Sequence, residues 1–270
     1  MTVWALLVEY DGAPFVGWQR QDNGASVQQV LEDAASHLSH GAPVATVVAG
    51  RTDAGVHAEG QVVQLALPTT LTPDRLREAL NYYTKPHPVT VLRVAPAPEG
   101  WNARFSAVGR AYRYRILNRR PRPALLEGRI WHVHAPLDAD AMHRAARSLL
   151  GRHDFSSFRA AACQAKSPLR TLDRLDVTRD GDMIDIVAEA RSFLHHQVRN
   201  MVGTLKLVGT GQWPAERVGA ALAARDRAAA GPTAPPEGLY LTGVRYQVDL
   251  FGARTMPAAF SDLGREAGQG

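Results

Sequence analysis

The stretch VATVVAGRTDAGVHAEGQVVQLAL, residues 44–67, places a glycine-containing loop between two predicted strands. The β-branched residues of 44–49 indicate a buried strand, and the alternation of apolar and polar side chains over 61–67 indicates another. The segment GRTDAGVHA, residues 50–58, therefore lies on the loop that connects them. Loops held by rigid strands often carry functional side chains, so this loop is the first place to look for a site.

The segments on either side of this loop complete the order strand, helix, strand, strand, helix, strand. Residues 3–9 form a short apolar run typical of a strand. Ser26 and Gln29 form a capping box before apolar residues at helical spacing, and Thr72 before a proline marks the start of a second helix. Residues 89–94 predict the closing strand. This order is typical of a ferredoxin-like unit, in which two helices cover one face of an antiparallel sheet.

The second half of the chain repeats this pattern of elements, although not the sequence. Strands are predicted at 112–117, 129–134, 171–178, 183–190 and 239–248. Helices are predicted after Asp138, over the apolar stripe from Leu194 to Leu205, and from Pro214. We therefore predict an α+β fold with two ferredoxin-like, or RRM-like, halves.

These elements predict three parts of the chain. Residues 1–104 form an N-terminal domain that carries the Asp53 loop, residues 105–250 form a C-terminal domain, and residues 251–270 form a tail without clear periodicity. Within the second domain, residues 228–238 are rich in Ala, Pro and Gly, which is typical of a mobile or irregular loop.

The composition is that of a globular protein with a basic surface. The chain has 270 residues, 31 Lys plus Arg against 26 Asp plus Glu, a net charge of +5 and 45% hydrophobic residues. Its single cysteine, Cys163, excludes an intramolecular disulfide framework and suits a reducing cytosol. We expect no signal peptide, and no apolar run reaches the roughly 18 residues of a membrane span. The sequence therefore predicts a soluble, cytoplasmic protein without membrane association.

The loop segment GRTDAGVHA places Asp53 two residues after Arg51. A guanidinium in contact with a carboxylate lowers the carboxyl pKa by about 1 to 3 units, so Asp53 would be ionised and able to act as a nucleophile. The alternative is an Asx-turn in which Asp53 binds its own loop amides and Arg51 is solvated. Spacing alone favours this alternative.

An arginine series over residues 104–122 is interleaved with aromatic residues and contains no acidic residue. Strand alternation puts Tyr112 and Tyr114 on one face and Arg113 and Arg115 on the other, so one face can stack bases while the other contacts phosphates. The series therefore favours RNA as a partner. The alternative is a solvated strand edge protected by charge.

The segment SFLHHQVRNMVG, residues 192–203, places Arg199 beside an inward-facing apolar stripe. A partly buried guanidinium needs an acidic partner, and Asp53 is one candidate. Adjacent helical residues such as His195 and His196 point in different directions, so we expect no metal site. The sequence also lacks GxxxxGKS and GxGxxG motifs, so we expect no cofactor.

At this point the sequence resembles the tRNA pseudouridine synthases of the TruA type. The resemblance covers residues 3 to about 248 and rests on motifs that follow one another in the family's order. These motifs are EYDGAPFVGWQRQ, SVQQVLEDA, GRTDAGVHAEGQVV, ARFSAVGRAYRYRI, LLGRHDFSSFRA, FLHHQVRNMVG and EGLYL. One stretch departs from the family, since residues 81–91 read NYYTKPHPVTV where many relatives carry an NALLP-like segment.

The resemblance implies two halves whose sheets join, a basic cleft, and a homodimer that binds tRNA. It implies conversion of uridine to pseudouridine at positions 38, 39 and 40 of the anticodon stem and loop. It places the catalytic aspartate at Asp53, the active-site tyrosine at Tyr112, the arginine that pairs with the aspartate at Arg199, and the leucine near the target base at Leu239. The motif arginine, Arg51, would occupy the vacated base position or bind backbone phosphate.

Two other classes of protein fit parts of the pattern. A non-catalytic RNA-binding protein could use the same ferredoxin-like unit, but the chain lacks the aromatic RNP signature of such proteins. A hydrolase with Asp53 as its nucleophile would need a second carboxylate roughly 5 to 9 Å away, and no motif supplies one.

Overall fold

The computed structural model describes residues 2–252, which divide into two compact units. In chain order the strands are β1 (Val3–Tyr10), β2 (Thr46–Val48), β3 (His57–Ala66), β4 (Val89–Pro96), β5 (Ala107–Leu117), β6 (Trp131–His132), β7 (Gly151–Asp154), β8 (Leu169–Asp180), β9 (Met183–Ala190) and β10 (Leu239–Tyr246). The α-helices are α1 (Val27–Leu38), α2 (Pro73–Tyr83), α3 (Ala139–Ala146), α4 (Gln197–Gly209) and α5 (Glu216–Ala224).

The first unit comprises residues 2–110 and 240–252 of the described chain. Its central strand β3 pairs antiparallel with β1, which in turn pairs antiparallel with β4. The other edge of β3 pairs antiparallel with β2 near Leu65 and parallel with β10 at His57 and Ala58. The order β4-β1-β3-β2, with α1 and α2 packed together, confirms the predicted ferredoxin-like arrangement of this half.

The second unit, Ala111–Leu239, is built on the strand order β5-β9-β8-β7. Strands β8 and β9 form the predicted hairpin, whose turn contains Gly181 at φ +54°. Strand β6 pairs in parallel with β5, and α3 packs against both β8 and α4. The predicted α+β class with largely antiparallel strands is confirmed.

Side-chain caps fix the starts of three helices where the sequence predicts them. The Ser26 hydroxyl accepts a hydrogen bond from the Gln29 amide at 3.2 Å. The Thr72 hydroxyl accepts one from the Arg75 amide at 3.4 Å, and the Asp138 carboxylate accepts one from the Ala141 amide at 2.8 Å. Each cap satisfies an amide that the helix itself leaves without an acceptor.

The units differ from the predicted division of the chain at both boundaries. The first unit extends to Arg110 rather than residue 104, so β5 contributes residues to both units. Strand β10, predicted within the second domain, groups with the first unit from Tyr240 onward because its first residues pair with β3. Residues 253–270 of the predicted tail lie outside the described residues.

The predicted loop at 228–238 is only partly irregular, since it contains parts of two short 3-10 helices, Arg227–Ala229 and Pro236–Gly238, and hydrogen bonds fix its path. The Gly231 amide donates to the Thr204 hydroxyl at 2.9 Å, and the Arg227 guanidinium donates to the side chain of Asn200 at 3.1 Å. Ala234 is only 1% exposed. The Ala, Pro and Gly content therefore reflects close packing rather than mobility.

Within residues 2–252, no helix combines the length and the apolar character needed to cross a bilayer.

Candidate active site

Asp53 lies in a tight turn between β2 and β3. The Val56 amide donates to the Asp53 carbonyl at 3.1 Å, and Gly55 adopts φ +75°. A positive φ at this position favours glycine, which explains the glycine two residues after the aspartate. Asp53 is half-buried and Arg51 is exposed. The turn therefore presents both side chains of the predicted motif on a defined backbone.

The segment that follows β1 packs directly against this turn. The Trp18 amide donates to the Thr52 carbonyl at 3.0 Å, and the Gly55 amide donates to the Phe15 carbonyl at 3.4 Å. Gly17 adopts φ +111°, and a Cβ there would lie 2.8 Å from the Thr52 carbonyl oxygen. The motif EYDGAPFVGWQRQ, to which only the family resemblance draws attention, thus forms one wall of the Asp53 turn.

Buried polar side chains hold the turn from the side of the sheet. The hydroxyls of Tyr10 and Thr52 are hydrogen-bonded at 2.8 Å. The Gln61 side-chain amide donates to the Gly50 carbonyl at 2.8 Å and lies 3.4 Å from the Tyr10 hydroxyl. Gln61 is fully buried, and burial raises the pKa of Tyr10 to about 12. Tyr10 therefore stays protonated at neutral pH and remains a hydrogen-bonding partner of Thr52.

Arg110 supports the chain one residue before the motif. Its guanidinium donates to the carbonyl of Ala49 at 2.7 Å and to that of Arg104 at 2.9 Å, and the residue is 8% exposed. A buried guanidinium bound to main-chain carbonyls is not available to RNA. Arg110 therefore does not share the RNA-binding role that the sequence suggests for the series, because local pattern does not reveal burial.

Acidic residues from distant parts of the sequence also offset other arginines of the series. Arg115 lies 3.6 Å from Asp185, and Arg119 lies 3.6 Å from Asp182. Arg122 lies 3.6 Å from Glu127, just beyond the series. The two exposed pairs, those of Arg119 and Arg122, contribute about 0 to 1 kcal/mol each. The exposed arginines can therefore exchange their carboxylate partners for phosphate at little cost.

The two tyrosines of the AYRYR motif have different environments. Tyr112 is half-buried, and its ring meets the ring of Phe193 edge-on at 5.2 Å between centroids. Tyr114 is completely buried, its hydroxyl donates to the Pro235 carbonyl at 2.8 Å, and burial raises its pKa well above the usual value. Tyr112 can therefore contact a base, whereas Tyr114 cannot, which corrects the prediction that both rings face RNA.

Arg199 lies in the first turn of α4. Its Nε donates to the Ala234 carbonyl at 2.8 Å, and its own carbonyl accepts a hydrogen bond from the Ala234 amide at 3.1 Å. The loop that precedes β10 therefore fixes the stem of the Arg199 side chain. This loop also leads to Leu239.

Leu239 is 5% exposed and begins β10. The residue before it, Gly238, packs so closely on the Tyr114 ring that a Cβ would lie 2.6 Å from a ring carbon. The buried Tyr114 therefore sets the position of Leu239. Tyr112, Arg199 and Leu239 all belong to the second unit, whereas Asp53 and Arg51 belong to the first. The pairing of Asp53 with Arg199 stays a prediction.

Comparisons with known proteins agree with this arrangement of motifs. A family model described as tRNA pseudouridine synthase matches residues 6–106 and 145–247, which include Asp53, Arg199 and Leu239 but not Tyr112. The chain is 69% identical over 252 residues to tRNA pseudouridine synthase A of Acidiphilium cryptum, covering 93% of this chain and 99% of the relative.

Two further relatives carry the same name. The one from Rhodospirillum centenum is 61% identical over 246 residues, covering 91% of this chain and 100% of the relative. The one from Gluconobacter oxydans is 55% identical over 250 residues, covering 92% of this chain and 91% of the relative. Because the family model matches well over half of the chain and the relatives match along nearly all of it, the chain belongs to the tRNA pseudouridine synthase family.

Proposed function

We propose that this protein converts uridine to pseudouridine at positions 38, 39 and 40 of the tRNA anticodon stem and loop, with Asp53 as the catalytic nucleophile. The observation that carries the proposal is the turn that holds Asp53. Thr52 and Gly50, on either side of Arg51, are each bound by a buried side chain of the sheet. A half-buried carboxylate on such a rigid frame is suited to a reaction that needs a fixed nucleophile.

The isomerisation breaks the bond between the ribose and N1 of uracil, rotates the base, and joins the ribose to C5. The proton on C5 is removed and N1 gains one, so the atoms of the product balance those of the substrate. The Asp53 carboxylate can attack the anomeric carbon, attack the uracil ring, or stabilise a cationic sugar while the base turns. Each route requires an ionised carboxylate and a base kept from diffusing away.

Three other residues supply what these routes require. Arg199, whose Nε is fixed by the Ala234 carbonyl, would pair with the Asp53 carboxylate and orient it, as the family resemblance implies. Tyr112, whose ring is braced by Phe193, would stack on the base and can move a proton. Leu239 would exclude water from the base.

Binding requires that the target nucleotide leaves its stack, which costs a few kcal/mol. Contacts to the basic surface offset this cost. Arg51 is exposed and can fill the space of the extracted base or bind a phosphate. Phe105 is 77% exposed, with the Arg104 guanidinium 5.7 Å from its ring centroid, which is a suitable platform for an unpaired base.

The test is pseudouridine mapping by reverse transcription in tRNA treated with wild-type protein, Asp53→Asn or Asp33→Asn. Asp33 lies on α1 with its side chain 60% exposed, so its substitution removes the same charge away from the turn. We expect the wild type and Asp33→Asn to modify positions 38–40, and Asp53→Asn to bind tRNA but form no pseudouridine.

Other outcomes separate the alternatives. Binding of tRNA without any modification by the wild type would indicate a non-catalytic RNA-binding protein. Release of free uracil would indicate a hydrolase, whereas isomerisation leaves the mass of the RNA unchanged. Modification by Asp53→Asn at the wild-type rate would contradict the role of Asp53.

The proposal includes a homodimer, which the resemblance implies, and a cytoplasmic location, which the single cysteine suits. Sedimentation equilibrium should then give twice the chain mass of 29.3 kDa. A monomer at micromolar concentration would contradict this part of the proposal and leave the assignment of the reaction intact.

A further inference from the structure

A basic cleft of about 230 Å³ lies in the second unit, where β7, β8 and the residues after β9 meet. Its lining residues are Arg152, Leu169, Arg170, Thr171, Arg191 and Ser192. Three of these six are arginines and two carry hydroxyls, while none of the lining residues is acidic. The lining therefore offers hydrogen-bond donors of the kind that bind phosphate oxygens.

The strand register brings these residues together. Arg152 of β7 lies opposite Thr171 of β8 in the antiparallel ladder, so the two side chains share a face. On the other side of β8, Leu172 pairs with Ala190, the last residue of β9, so Arg191 and Ser192 follow directly beside the same part of β8. Strands β7 and β8 and the two residues that follow β9 thus contribute to one cleft.

Arg170 is held in place but its charge is incompletely solvated. One of its terminal nitrogens donates to the carbonyls of Ser167 at 3.0 Å and Leu169 at 2.6 Å, while its Nε is buried without a hydrogen-bond partner. Burial lowers the pKa of Arg170, although a guanidinium remains charged at neutral pH. An anion in the cleft would restore the solvation that Arg170 lacks.

Nearby charged residues are engaged elsewhere. Arg174, further along β8, is hydrogen-bonded to Asp176 and lies 3.2 Å from Glu189. Asp154, at the end of β7, accepts a hydrogen bond from the Ser156 amide at 2.9 Å and lies 3.8 Å from Arg225. The charge of Arg174 is thus neutralised by the protein itself, in contrast with the acid-free lining of the cleft.

We propose that this cleft binds a backbone phosphate of the tRNA substrate. This inference rests on the proposed function, because it takes tRNA as the substrate. Arg152 and Arg170 contact the phosphate oxygens, and the hydroxyls of Thr171 and Ser192 add neutral donors. Leu169, which is 45% exposed, packs against the adjoining ribose. Such a contact fixes the position of the RNA and carries no sequence preference.

The chain connects this cleft through Phe193 to Tyr112, a candidate active-site residue of the second unit. Ser192 precedes Phe193, whose ring braces Tyr112. A phosphate held at Ser192 therefore sets the distance along the RNA backbone between that phosphate and the base that Tyr112 contacts. The cleft acts as a positioning site for the substrate.

The test is tRNA affinity as a function of salt for Arg152→Gln, Arg170→Gln and the control Arg144→Gln. Arg144 is an exposed residue of α3 outside the cleft, and its loss changes the net charge equally. Loss of one phosphate contact lowers the slope of log Kd against log salt concentration by about 1. We expect this decrease for both cleft variants, to the same extent with several different tRNAs, and no change of slope for Arg144→Gln.

Further outcomes distinguish a tRNA phosphate site from a site for free phosphate. Wild-type slopes for both Arg152→Gln and Arg170→Gln would overturn the site, even if the wild type makes pseudouridine. A lowered slope with a wild type that makes no pseudouridine would leave the site standing and refute the proposed reaction. Inorganic phosphate, with chloride at matched ionic strength, is a second probe. Phosphate binding that Arg152→Gln abolishes, together with unchanged tRNA slopes, would show a free-phosphate site and overturn the RNA assignment.

Because Arg152 is exposed, its substitution should leave folding intact. Arg170 is partly buried, so Arg170→Lys serves as the conservative variant, retaining the charge. It should recover most of the slope that Arg170→Gln loses. No recovery with Arg170→Lys, together with a wild-type slope for Arg152→Gln, would indicate a purely structural role for Arg170 and overturn the site.

Discussion

The side-chain amide of Gln61 donates to the main-chain carbonyl of Gly50 at 2.8 Å, which ties the centre of β3 to the first residue of the Asp53 turn. Gln61 is completely buried, and its side-chain oxygen accepts a hydrogen bond from the Val62 amide at 3.2 Å. Hydrogen bonds from the side-chain nitrogen and to the side-chain oxygen thus fix the orientation of the Gln61 amide. The buried Gln61 side chain therefore positions the turn rather than extending the apolar core.

Replacement of Gln61 by Leu removes the donor for the Gly50 carbonyl while keeping a similar volume. We expect kcat to fall by about tenfold to a hundredfold, because small displacements of a reacting group are costly, with Kd for tRNA within about twofold of the wild type. Single-turnover kinetics and filter binding measure the two quantities. The fall in kcat should exceed any loss of folded protein, which urea unfolding measures separately.

Gln64→Leu is the matched control for this experiment. Gln64 lies on the same strand and its side-chain oxygen accepts a hydrogen bond from the Ala103 amide at 3.1 Å, away from the turn. It should lose similar stability and keep its kcat. Equal losses of kcat in both variants would show that β3 acts only through general stability.

Tyr10→Phe removes the hydroxyl that binds Thr52. A buried hydroxyl left without its partner destabilises the fold by about 1 to 3 kcal/mol, so the free energy of unfolding in urea should fall by this amount. Activity should fall as well, because Thr52 directly precedes Asp53. Tyr82→Phe is the control, since Tyr82 is 70% exposed, and it should change neither quantity.

The pH dependence of stability gives an independent test of Tyr10. Its pKa is raised to about 12 in the folded protein, from an ordinary value of 10.0, chiefly by burial. Below pH 10 both states bind the proton, and stability is unaffected. Between pH 10 and 12 the unfolded state loses the proton first, so stability falls with rising pH, by about 1.4 kcal/mol per unit for this residue.

Tyr10→Phe lacks this contribution. Its free energy of unfolding should therefore decline less steeply than that of the wild type above pH 10, and the difference between the two proteins should shrink. Parallel curves over pH 9–11 would show that the Tyr10 hydroxyl does not remain protonated in the folded state. Tyr114 and Tyr246, whose pKa values are also raised by burial, contribute equally to both proteins.

Elements with a local signal could be predicted from the sequence, and those formed by distant partners could not. The capped starts of α1, α2 and α3 follow from Ser26, Thr72 and Asp138, because a cap involves residues only three positions apart. Strand β7, with the sequence GRHD, has no apolar alternation and exists only through its pairing with β8. The parallel pairing of β10 with β3 likewise has no local signature.

The same contrast holds in the candidate site. Asp53 could be nominated because two glycines and an arginine lie beside it in the sequence. The roles of Tyr10 and Gln61 depend on contacts 42 and 11 positions away, so no spacing rule could have found them. The structural role of Arg110 could not be predicted for the same reason, since its partner Ala49 lies 61 positions away.

The Phe193 ring is expected to act through Tyr112. Edge-to-face aromatic pairs contribute about 0.5 to 1.5 kcal/mol beyond burial, so Phe193→Leu should let the Tyr112 ring leave its position. We expect lower kcat/KM in steady-state assays of tRNA modification, with the melting temperature lowered by only a few degrees. Phe158→Leu should instead reduce stability strongly, because Phe158 is fully buried and packs against Phe155. Wild-type kcat/KM for Phe193→Leu would refute the bracing role.

Gly12 tests whether the segment after β1 must touch the Asp53 turn. A Cβ at Gly12 would lie 2.1 Å from the Val56 carbonyl oxygen. Hydrogen bonds hold both backbones in place, since the Gly12 amide donates to the His57 ring and the Val56 amide donates to the Asp53 carbonyl. Gly12→Ala should therefore displace the turn, reduce pseudouridine formation by at least about tenfold and lower stability by about 1 to 3 kcal/mol.

Gly219→Ala is the control for this prediction, because Gly219 lies within α5 and its Cβ would meet only Ser148 at ordinary contact distance. This variant should gain up to about 1 kcal/mol from helix propensity and keep its activity. Thermal unfolding and the mapping assay measure both effects, and full activity of Gly12→Ala would mean that the contact between these two segments does not position Asp53.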